Sequence, residues 1–291
     1  MSDFKDYLAY LKSDGFIVLS SLIDINTICN IKDEIKQLSH LSFNDQLGSL
    51  VISENLWIDH LGIHSELILK TILNEELLWL ADNYFEEPSI LGSLKYQQKI
   101  KKHKALDLHS DMGPGLVAFL FLNEIDGNTG STRFLKGTHL LNHSNYRKKN
   151  ITPITEYFHA SEFKDFELIS SKGGPGTVVL FSQQILHDLP KISKIGRETI
   201  WFTFYPKSYA SLSENHLFSK NVLSSLTTNQ KNRILFDEVS LGTSFTKFGN
   251  NTSIRDTHNI SAFRIFYYVL YYKIYYYFTN FKRNLTKKVN M

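Results

Sequence analysis

His109 and Asp111 are the pair of side chains in this sequence with the clearest capacity for metal chemistry. They lie two positions apart in the run Ala105–Asp111, which predicts a β-strand, so both side chains would point to the same face. An imidazole and a carboxylate from one strand, joined by a distant histidine, can bind a divalent metal as a two-histidine, one-carboxylate triad. A His-x-Asp motif also occurs by chance, and the alternative is a hydrogen-bonded or solvent-facing pair.

A third ligand is predicted at His187, which follows the strand-like run Thr177–Phe181 and the glycine-rich turn at 173–176. If the strands fold back on one another, this histidine enters the region of the first pair. Arg197 opens the next predicted strand, Glu198–Tyr205. A guanidinium there could hold the distal carboxylate of a 2-oxo acid through two parallel hydrogen bonds. Taken alone, Arg197 would be interpreted as a surface arginine in a turn.

The elements that would position these residues are mostly short strands. Runs rich in apolar, β-branched or aromatic residues are separated by turn-forming sequences such as Asp126-Gly127-Asn128. The runs cover 94–100, 105–111, 116–122, 132–135, 177–181 and 199–205. Many short strands with such turns predict an antiparallel sandwich or barrel, and hence a mainly β fold.

The N-terminal part and one internal segment have a different character. Helical spacing of apolar residues predicts a first helix near 4–11 and a second helix begun by Asp24, with a strand at Phe16–Leu19 between them. Residues 41–93 are predicted to be mostly helical and irregular. Residues 140–170 are predicted to be an insertion with helical and polar parts that forms a lid. Loops at a barrel mouth commonly carry substrate contacts, so both regions are candidates for that role.

Five pieces of the sequence, in this order, carry a family resemblance within residues 7–205. They are Asp14–Leu19 before a helix, Leu108–Asp111, Asp126–His139, Gly176–Phe181 followed by His187, and Arg197. Together they resemble the phytanoyl-CoA dioxygenase family of Fe(II)- and 2-oxoglutarate-dependent oxygenases. Two stretches depart from that family. Lys136–His139 stands where the family has Pro-Gly-Ser-His, and Asp188–Ile192 lacks the Ser and Asn that often follow the distal histidine.

The resemblance implies a fold, cofactors and roles for particular residues. The fold would be a double-stranded β-helix (jelly roll, cupin-like) flanked by N-terminal helices. The resemblance implies that Fe(II) is bound by His109, Asp111 and His187, and that 2-oxoglutarate is bound by Arg197, with O₂ as the second co-substrate. A polar residue before His109 would help to hold the 2-oxoglutarate, with Gln97, Gln98 and Lys99 as the candidates. Related halogenases lack the carboxylate, so the presence of Asp111 favours hydroxylation of a C–H bond of a small metabolite, or another oxidation, over halogenation.

The predicted organisation is one oxygenase domain at 1–260, with a helical part at 1–93 and a jelly-roll core at 94–206, followed by a tail at 261–291. From residue 255 onward the chain has seven basic residues and one acidic residue, together with many tyrosines and phenylalanines. This tail is predicted to be a helix that packs on the jelly roll or on a second subunit in a homodimer. The alternative is peripheral attachment to a membrane, since tyrosine and lysine suit the lipid–water interface. A membrane-bound tail would favour a lipid-linked or surface-glycan precursor as the substrate.

Composition limits the remaining function classes. The 291 residues are 42% hydrophobic and 21% charged, which is typical of a globular protein, and the net charge of +3 gives no indication of nucleic-acid binding. One cysteine, Cys29, cannot form an internal disulfide, and we expect it to pack inside the second helix. The N-terminus lacks the features of a secretory signal, so a cytoplasmic location is expected, with attachment at the inner face of the membrane left open. The alternatives to an oxygenase are a non-catalytic jelly-roll binding protein and a cupin-like enzyme that uses another metal.

Overall fold

The computed structural model describes eleven stretches of the chain. They are 2–39, 49–52, 55–59, 61, 65–99, 105–111, 113–151, 155–191, 196–212, 216–234 and 236–239. The predicted tail at 261–291 lies outside these residues, so its helix and its contacts stay predictions. No helix within the described stretches is long and apolar enough to span a membrane.

Six α-helices are formed in the described residues. They are α1 (Ser2–Asp14), α2 (Ile25–Ser39), α3 (Glu66–Ile72), α4 (Glu75–Phe85), α5 (Lys220–Ser225) and α6 (Thr228–Lys231). Asp24 caps α2 as predicted, because its carboxylate accepts a hydrogen bond of 2.9 Å from the Thr27 amide. Ser65 and Asn74 cap α3 and α4 in the same way. The expectation for Cys29 was wrong, since the side chain is exposed on α2.

The strands of the described residues form two large antiparallel sheets and one small parallel pair. They are β1 (Phe16–Leu19), β2 (Ser49–Ile52), β3 (Asn55–Asp59), β4 (Ser89–Lys99), β5 (Leu106–Asp111), β6 (Leu116–Phe121), β7 (Arg133–Leu135), β8 (Lys148–Ile151), β9 (Thr155–Phe158), β10 (Leu168–Ser170), β11 (Val178–Ser182), β12 (His187–Leu189), β13 (Glu198–Pro206), β14 (His216–Ser219) and β15 (Phe236–Val239). The larger sheet has the order β1-β11-β6-β13-β4-β3-β2, and the smaller one β10-β7-β12-β5-β9-β8. The predicted jelly roll is confirmed.

Two regional predictions were wrong in part. Residues 41–93, predicted to be mostly helical, contain β2 and β3, which extend the larger sheet beside β4. The insertion at 140–170 contributes β8 and β9 to one edge of the smaller sheet and β10 to the other edge. In the described part of this insertion, the helical content is limited to short 3₁₀ turns such as His143–Asn145 and Ala160–Phe163. Strand pairing across the sheet therefore overrides the local helical and polar pattern.

Successive side chains of β13 point alternately into two apolar cores, one on each face of the larger sheet. Ile200, Phe202 and Phe204 point outward and are buried with apolar side chains of α1 to α4. On the inner side, an aromatic cluster joins Phe119 and Phe181 of the larger sheet to Phe134 of the smaller sheet. The helices thus cover one face of the larger sheet, and the space between the two sheets is the inside of the jelly roll.

Candidate metal centre and anion pocket

His109, Asp111 and His187 come together on the inner face of the smaller sheet. Strands β5 and β12 are antiparallel neighbours, and His187 lies directly opposite His109. Directly opposite residues share a face, and the two imidazole ring centroids are 4.2 Å apart. One ligand atom from each of the three residues lies within 4.8 Å of the other two. The three side chains singled out from the sequence are thus close enough to share one metal ion.

Hydrogen bonds to the main chain fix the tautomer of both histidines. Nδ1 of His109 donates to the carbonyl of Asp107 at 2.8 Å, and Nδ1 of His187 donates to the carbonyl of Ile185 at 3.0 Å. A carbonyl can only accept, so each Nδ1 carries the proton and each Nε2 keeps its lone pair. Histidines that bind metals are commonly oriented by such a bond on the opposite nitrogen.

The charge state of the three residues also fits a divalent cation. Burial lowers the pKa of His109 to about 4, with a contribution from nearby His187, and burial alone lowers the pKa of His187 to about 4. Both rings are therefore neutral at physiological pH and can donate a lone pair. Burial raises the pKa of Asp111, while the neighbouring His109 opposes that shift. Two neutral nitrogen donors and one carboxylate are the donor set of many non-haem iron sites.

Aromatic side chains hold the histidine rings in place. The His187 ring lies 5.2 Å from the Phe181 ring and 6.0 Å from the Phe134 ring. On the other side, the Tyr157 ring lies 5.5 Å from His109. Tyr157 faces the same side as His109 because the two residues are opposite each other in β9 and β5. Sequence reasoning missed Tyr157, since its strand lies within the predicted lid.

A second missed feature lies behind His187, on the outward face of the smaller sheet. Asp188 accepts hydrogen bonds from Arg133 Nε at 2.7 Å and from Arg133 Nη2 at 2.5 Å. The two residues face each other on the adjacent strands β12 and β7. The ion pair raises the pKa of Arg133 and ties the strand that carries His187 to its neighbour.

Arg197 lies at the start of β13, and its side chain is buried rather than exposed, with 3% of its surface accessible. Its Nη1 donates to the carbonyl of Gly130 at 2.7 Å, and its Nη2 donates to Thr132 Oγ1 at 3.4 Å. The guanidinium carbon lies 5.1 Å from the centroid of Phe119, the ring that packs on Phe181. Aromatic contacts therefore connect Arg197 to the metal centre through the inner core.

The surroundings of Arg197 lack a negative partner. None of the described carboxylates forms a salt bridge with Arg197, and burial lowers its pKa to about 10. Three buried polar atoms in this region have no hydrogen-bond partner in the described structure, namely Arg197 Nε, Ser131 Oγ and Thr199 Oγ1. Buried polar groups are normally satisfied, so these atoms together indicate a pocket for an anion.

The three residues considered for a second contact with 2-oxoglutarate lie on β4, and their side chains do not all share one face of the sheet. Gln97 lies directly opposite Thr199, and Lys99 donates its amide proton to the carbonyl of Arg197 at 2.9 Å. Both side chains are buried and share the inner face with Thr199. Gln98 points to the other face of the sheet, where its amide donates to Glu198 at 3.1 Å. The inner face thus brings Gln97 and Lys99, but not Gln98, to the Arg197 side of the barrel.

No protein-family model matches the chain, and no curated protein is detectably similar to it in sequence. Solved structures do match. The epimerase SnoN, solved with Fe³⁺, alpha-ketoglutarate and nogalamycin RO, is 15% identical, with a TM-score of 0.59 over 70% of this chain and 84% of its own. HygX from Streptomyces hygroscopicus, solved with nickel and 2-oxoglutarate bound, is 15% identical, with a TM-score of 0.54 over 70% and 87%. SnoK, a non-haem alpha-ketoglutarate-dependent carbocyclase, is 13% identical, with a TM-score of 0.54 over 69% and 83%. At this level of identity the likeness establishes the jelly-roll fold.

Proposed function

We propose that this protein is an Fe(II)- and 2-oxoglutarate-dependent oxygenase that hydroxylates a C–H bond of a small metabolite. The observation that carries the proposal is the arrangement of His109, Asp111 and His187. Two nitrogen lone pairs and a carboxylate converge, and each histidine uses its other nitrogen on a main-chain carbonyl. The likeness to enzymes solved with iron or nickel and 2-oxoglutarate supports the same assignment.

Each of the three residues has a separate task in this proposal. His109 and His187 would hold the metal through Nε2, and Asp111 would neutralise part of its charge. A bound iron would supply the activation of O₂ that, with 2-oxoglutarate as the reductant, leads to oxidation of a C–H bond. Phe181 and Phe134 pack against His187 and would keep water away from that side of the metal.

Arg197 would bind the distal carboxylate of 2-oxoglutarate. That carboxylate would supply the negative partner that the buried guanidinium lacks among the described residues, and it would accept a hydrogen bond from Arg197 Nε. The hydroxyls of Ser131 and Thr199 could donate to the same group. Gln97 and Lys99 are the remaining candidates for a second contact, since they face the inside of the barrel.

The first experiment is an anaerobic titration of the metal-free protein with Fe(II) and 2-oxoglutarate. The readout is the weak visible charge-transfer band of the chelate. We expect a band for the wild type, no band for His187→Ala and a weaker band for Arg197→Ala. His159→Ala is a matched control, because His159 precedes the Ala160–Phe163 turn and its side chain makes no capping hydrogen bond there. A folded, iron-loaded protein without a band would overturn the proposal and favour a binding protein or an enzyme with another metal.

The location of the protein and the role of its tail are separate proposals. A cytoplasmic protein with a basic aromatic tail at 261–291 could attach to the inner face of the membrane or pack on a second subunit. Deletion of 262–291 tests this directly. Loss of membrane partitioning would support attachment, and a change from dimer to monomer would support packing between subunits.

A further inference from the structure

Gln183 joins two chain segments that lead to metal ligands. Its side-chain Oε1 accepts a hydrogen bond of 3.0 Å from the Gly115 amide, and its own amide donates to the Gly115 carbonyl at 2.9 Å. Gly115 follows Asp111 by four residues, and Gln183 precedes His187 by four residues. The side chain and the main chain of one residue therefore hold the connection from β5 to β6 against the connection from β11 to β12.

The Gly115 amide also fixes the orientation of the Gln183 carboxamide. A main-chain amide can only donate, so the side-chain atom that faces it is the oxygen, and the other end of the carboxamide is the NH₂ group. That group donates to the hydroxyl of Tyr205, on β13, at 3.2 Å. Gln183 is buried, so another conformation of its side chain would leave polar atoms without partners away from water. The carboxamide is therefore held in one orientation by both of its partners.

The chain that follows Asp111 packs directly on this carboxamide. A Cβ at Gly115 would lie 2.8 Å from Gln183 Oε1 and 2.7 Å from the ring of Tyr205. A Cβ at Gly113, two residues after Asp111, would overlap the same oxygen of Gln183. Glycine at these two positions thus allows the backbone to approach both side chains closely, and little space is left for the segment to move.

The position of Asp111 depends on this segment because Asp111 is the last residue of β5. Its partner in the strand ladder is Thr155, on β9. On the other side of β5, strand β12 begins at His187, opposite His109, so the pairing of these two strands does not extend to Asp111. Asp111 is therefore paired on one side only, and its direction depends also on the chain after it, which Gln183 holds.

Resting on the proposed function, we propose that Gln183 is a positioning residue for the metal centre. Gln183 is not one of the three ligands. It ties the segment after Asp111 to the segment before His187 and anchors both on Tyr205 of the larger sheet. This link helps to keep the carboxylate and the imidazole close enough to share one ion. Residues that orient metal ligands in this indirect way commonly affect metal affinity when they are replaced.

Gln183→Met tests this proposal, since methionine has a similar length and makes neither side-chain hydrogen bond. The full chain, freed of metal, is titrated anaerobically with Fe(II) and then with 2-oxoglutarate. We expect the Fe(II) affinity to fall about tenfold and the charge-transfer band of the chelate to shift in wavelength, because both depend on the geometry of the ligands. Tyr205→Phe removes only the bond to the hydroxyl, so its effect should lie between those of the wild type and Gln183→Met.

Gln230→Met is the matched control. Gln230 also uses both ends of its carboxamide, which accepts from the Thr227 amide at 3.1 Å and donates to the Leu73 carbonyl at 3.4 Å. These bonds join α6 to the end of α3, away from the two strands that carry the metal ligands. The variant should lose stability in denaturant unfolding but keep the Fe(II) affinity and the band of the wild type.

The proposal is overturned if Gln183→Met binds Fe(II) with the affinity and the band of the wild type, or if Gln183→Met and Gln230→Met lose equal Fe(II) affinity. If Gln183→Met does not fold, Tyr205→Phe decides: weaker Fe(II) binding supports the positioning role, and unchanged binding rejects it. The wild type separates the two proposals. Absence of the band in the wild type rejects the oxygenase, whereas a wild-type band that is unchanged in Gln183→Met rejects the positioning role alone.

Discussion

Arg133 and Asp188 form a two-bond ion pair on the outward face of the smaller sheet, one residue away from His187. The bonds of 2.7 and 2.5 Å join strand β7 to strand β12 directly behind the metal triad. The two side chains are 35% and 17% exposed, so the pair is partly shielded from water. Since strand β12 is short, we expect this ion pair to help hold the strand, and with it His187, against β7.

Arg133→Met should therefore weaken iron binding without removing a ligand. Loss of a partly exposed, two-bond ion pair is expected to lower the free energy of unfolding by about 1–2 kcal/mol. We expect Fe(II) affinity to fall about tenfold, because a small displacement of His187 affects every bond at the metal. Anaerobic Fe(II) titration and denaturant unfolding measure the two effects separately.

Arg233→Met is the matched control for this prediction. Arg233 and Asp82 also form a two-bond pair, with both bonds at 2.8 Å, but they join α4 to the segment after α6. The variant should lose stability and keep its iron affinity. Equal losses of iron affinity in the two variants, or none in Arg133→Met, would show that the Arg133 pair has no specific role at the metal.

The metal-free protein should lose stability as the pH falls below 6.5. Burial lowers the pKa of His187 from 6.5 to about 4, so between these values the unfolded chain binds a proton that the folded chain does not. The free energy of unfolding then decreases toward acid by up to about 1.4 kcal/mol per pH unit for such a group. His109 acts in the same sense, and Asp111, whose pKa is raised, acts in the opposite sense.

His187→Gln tests this assignment, because glutamine does not titrate. The slope of unfolding free energy against pH between 6.5 and 4 should be shallower in the variant than in the metal-free wild type. Denaturant unfolding at a series of pH values gives both slopes. An unchanged slope would mean that His187 is protonated in the folded protein at these pH values.

Arg197→Met should abolish stabilisation by 2-oxoglutarate while changing the unliganded protein little. The substitution removes a buried charge that has no counter-ion among the described residues, and this stabilises the folded state. That stabilisation offsets the loss of the two hydrogen bonds made by Arg197. A ligand at a hundredfold excess over its Kd stabilises by about 2.7 kcal/mol, and the variant should lose that increment. Thermal unfolding with and without 2-oxoglutarate and Fe(II) is the measurement. Arg133→Met should keep most of the increment, and an equal increment in Arg197→Met would place the carboxylate elsewhere.

Gly176→Ala should destabilise the fold without a direct effect on the metal centre. Gly176 has a φ of +87°, and a Cβ there would clash with the backbone carbonyl of Ile23. We expect a loss of at least about 2 kcal/mol from the left-handed conformation and the clash together. Gly127→Ala is the control, because a Cβ at Gly127 meets nothing within 4 Å. Similar stabilities for the two variants, measured by denaturant unfolding, would contradict the argument.

Much of the candidate metal centre could be predicted from the sequence, partly from a local pattern and partly from the expected strand pairing. Two ligands share one strand, so the alternation of side chains alone places His109 and Asp111 on one face. The third ligand follows a strongly apolar strand, and the antiparallel pairing of β12 with β5 brings His187 opposite His109. Side-chain alternation thus accounts for the first pair, whereas the pairing of two distant strands accounts for His187.

Other parts of the site could not be predicted, because they depend on which face of a strand meets the second sheet. Alternation separates Gln98 from its neighbours Gln97 and Lys99, but only the packing of the helices on the outer face identifies the inner one. Tyr157 could not be predicted for a different reason. Its strand has a weak local pattern and forms by pairing with β5 across a long sequence separation.

The hydrogen bonds that orient the two histidines come from the main chain, at Asp107 and Ile185. Every residue type carries a carbonyl, so a substitution at either position leaves the acceptor in place as long as the strand keeps its path. The two acceptors that fix the tautomers of the ligands therefore do not depend on the side chains at positions 107 and 185. The fold itself is recognisable at 13–15% identity to solved structures, although no family model and no curated protein matches the sequence.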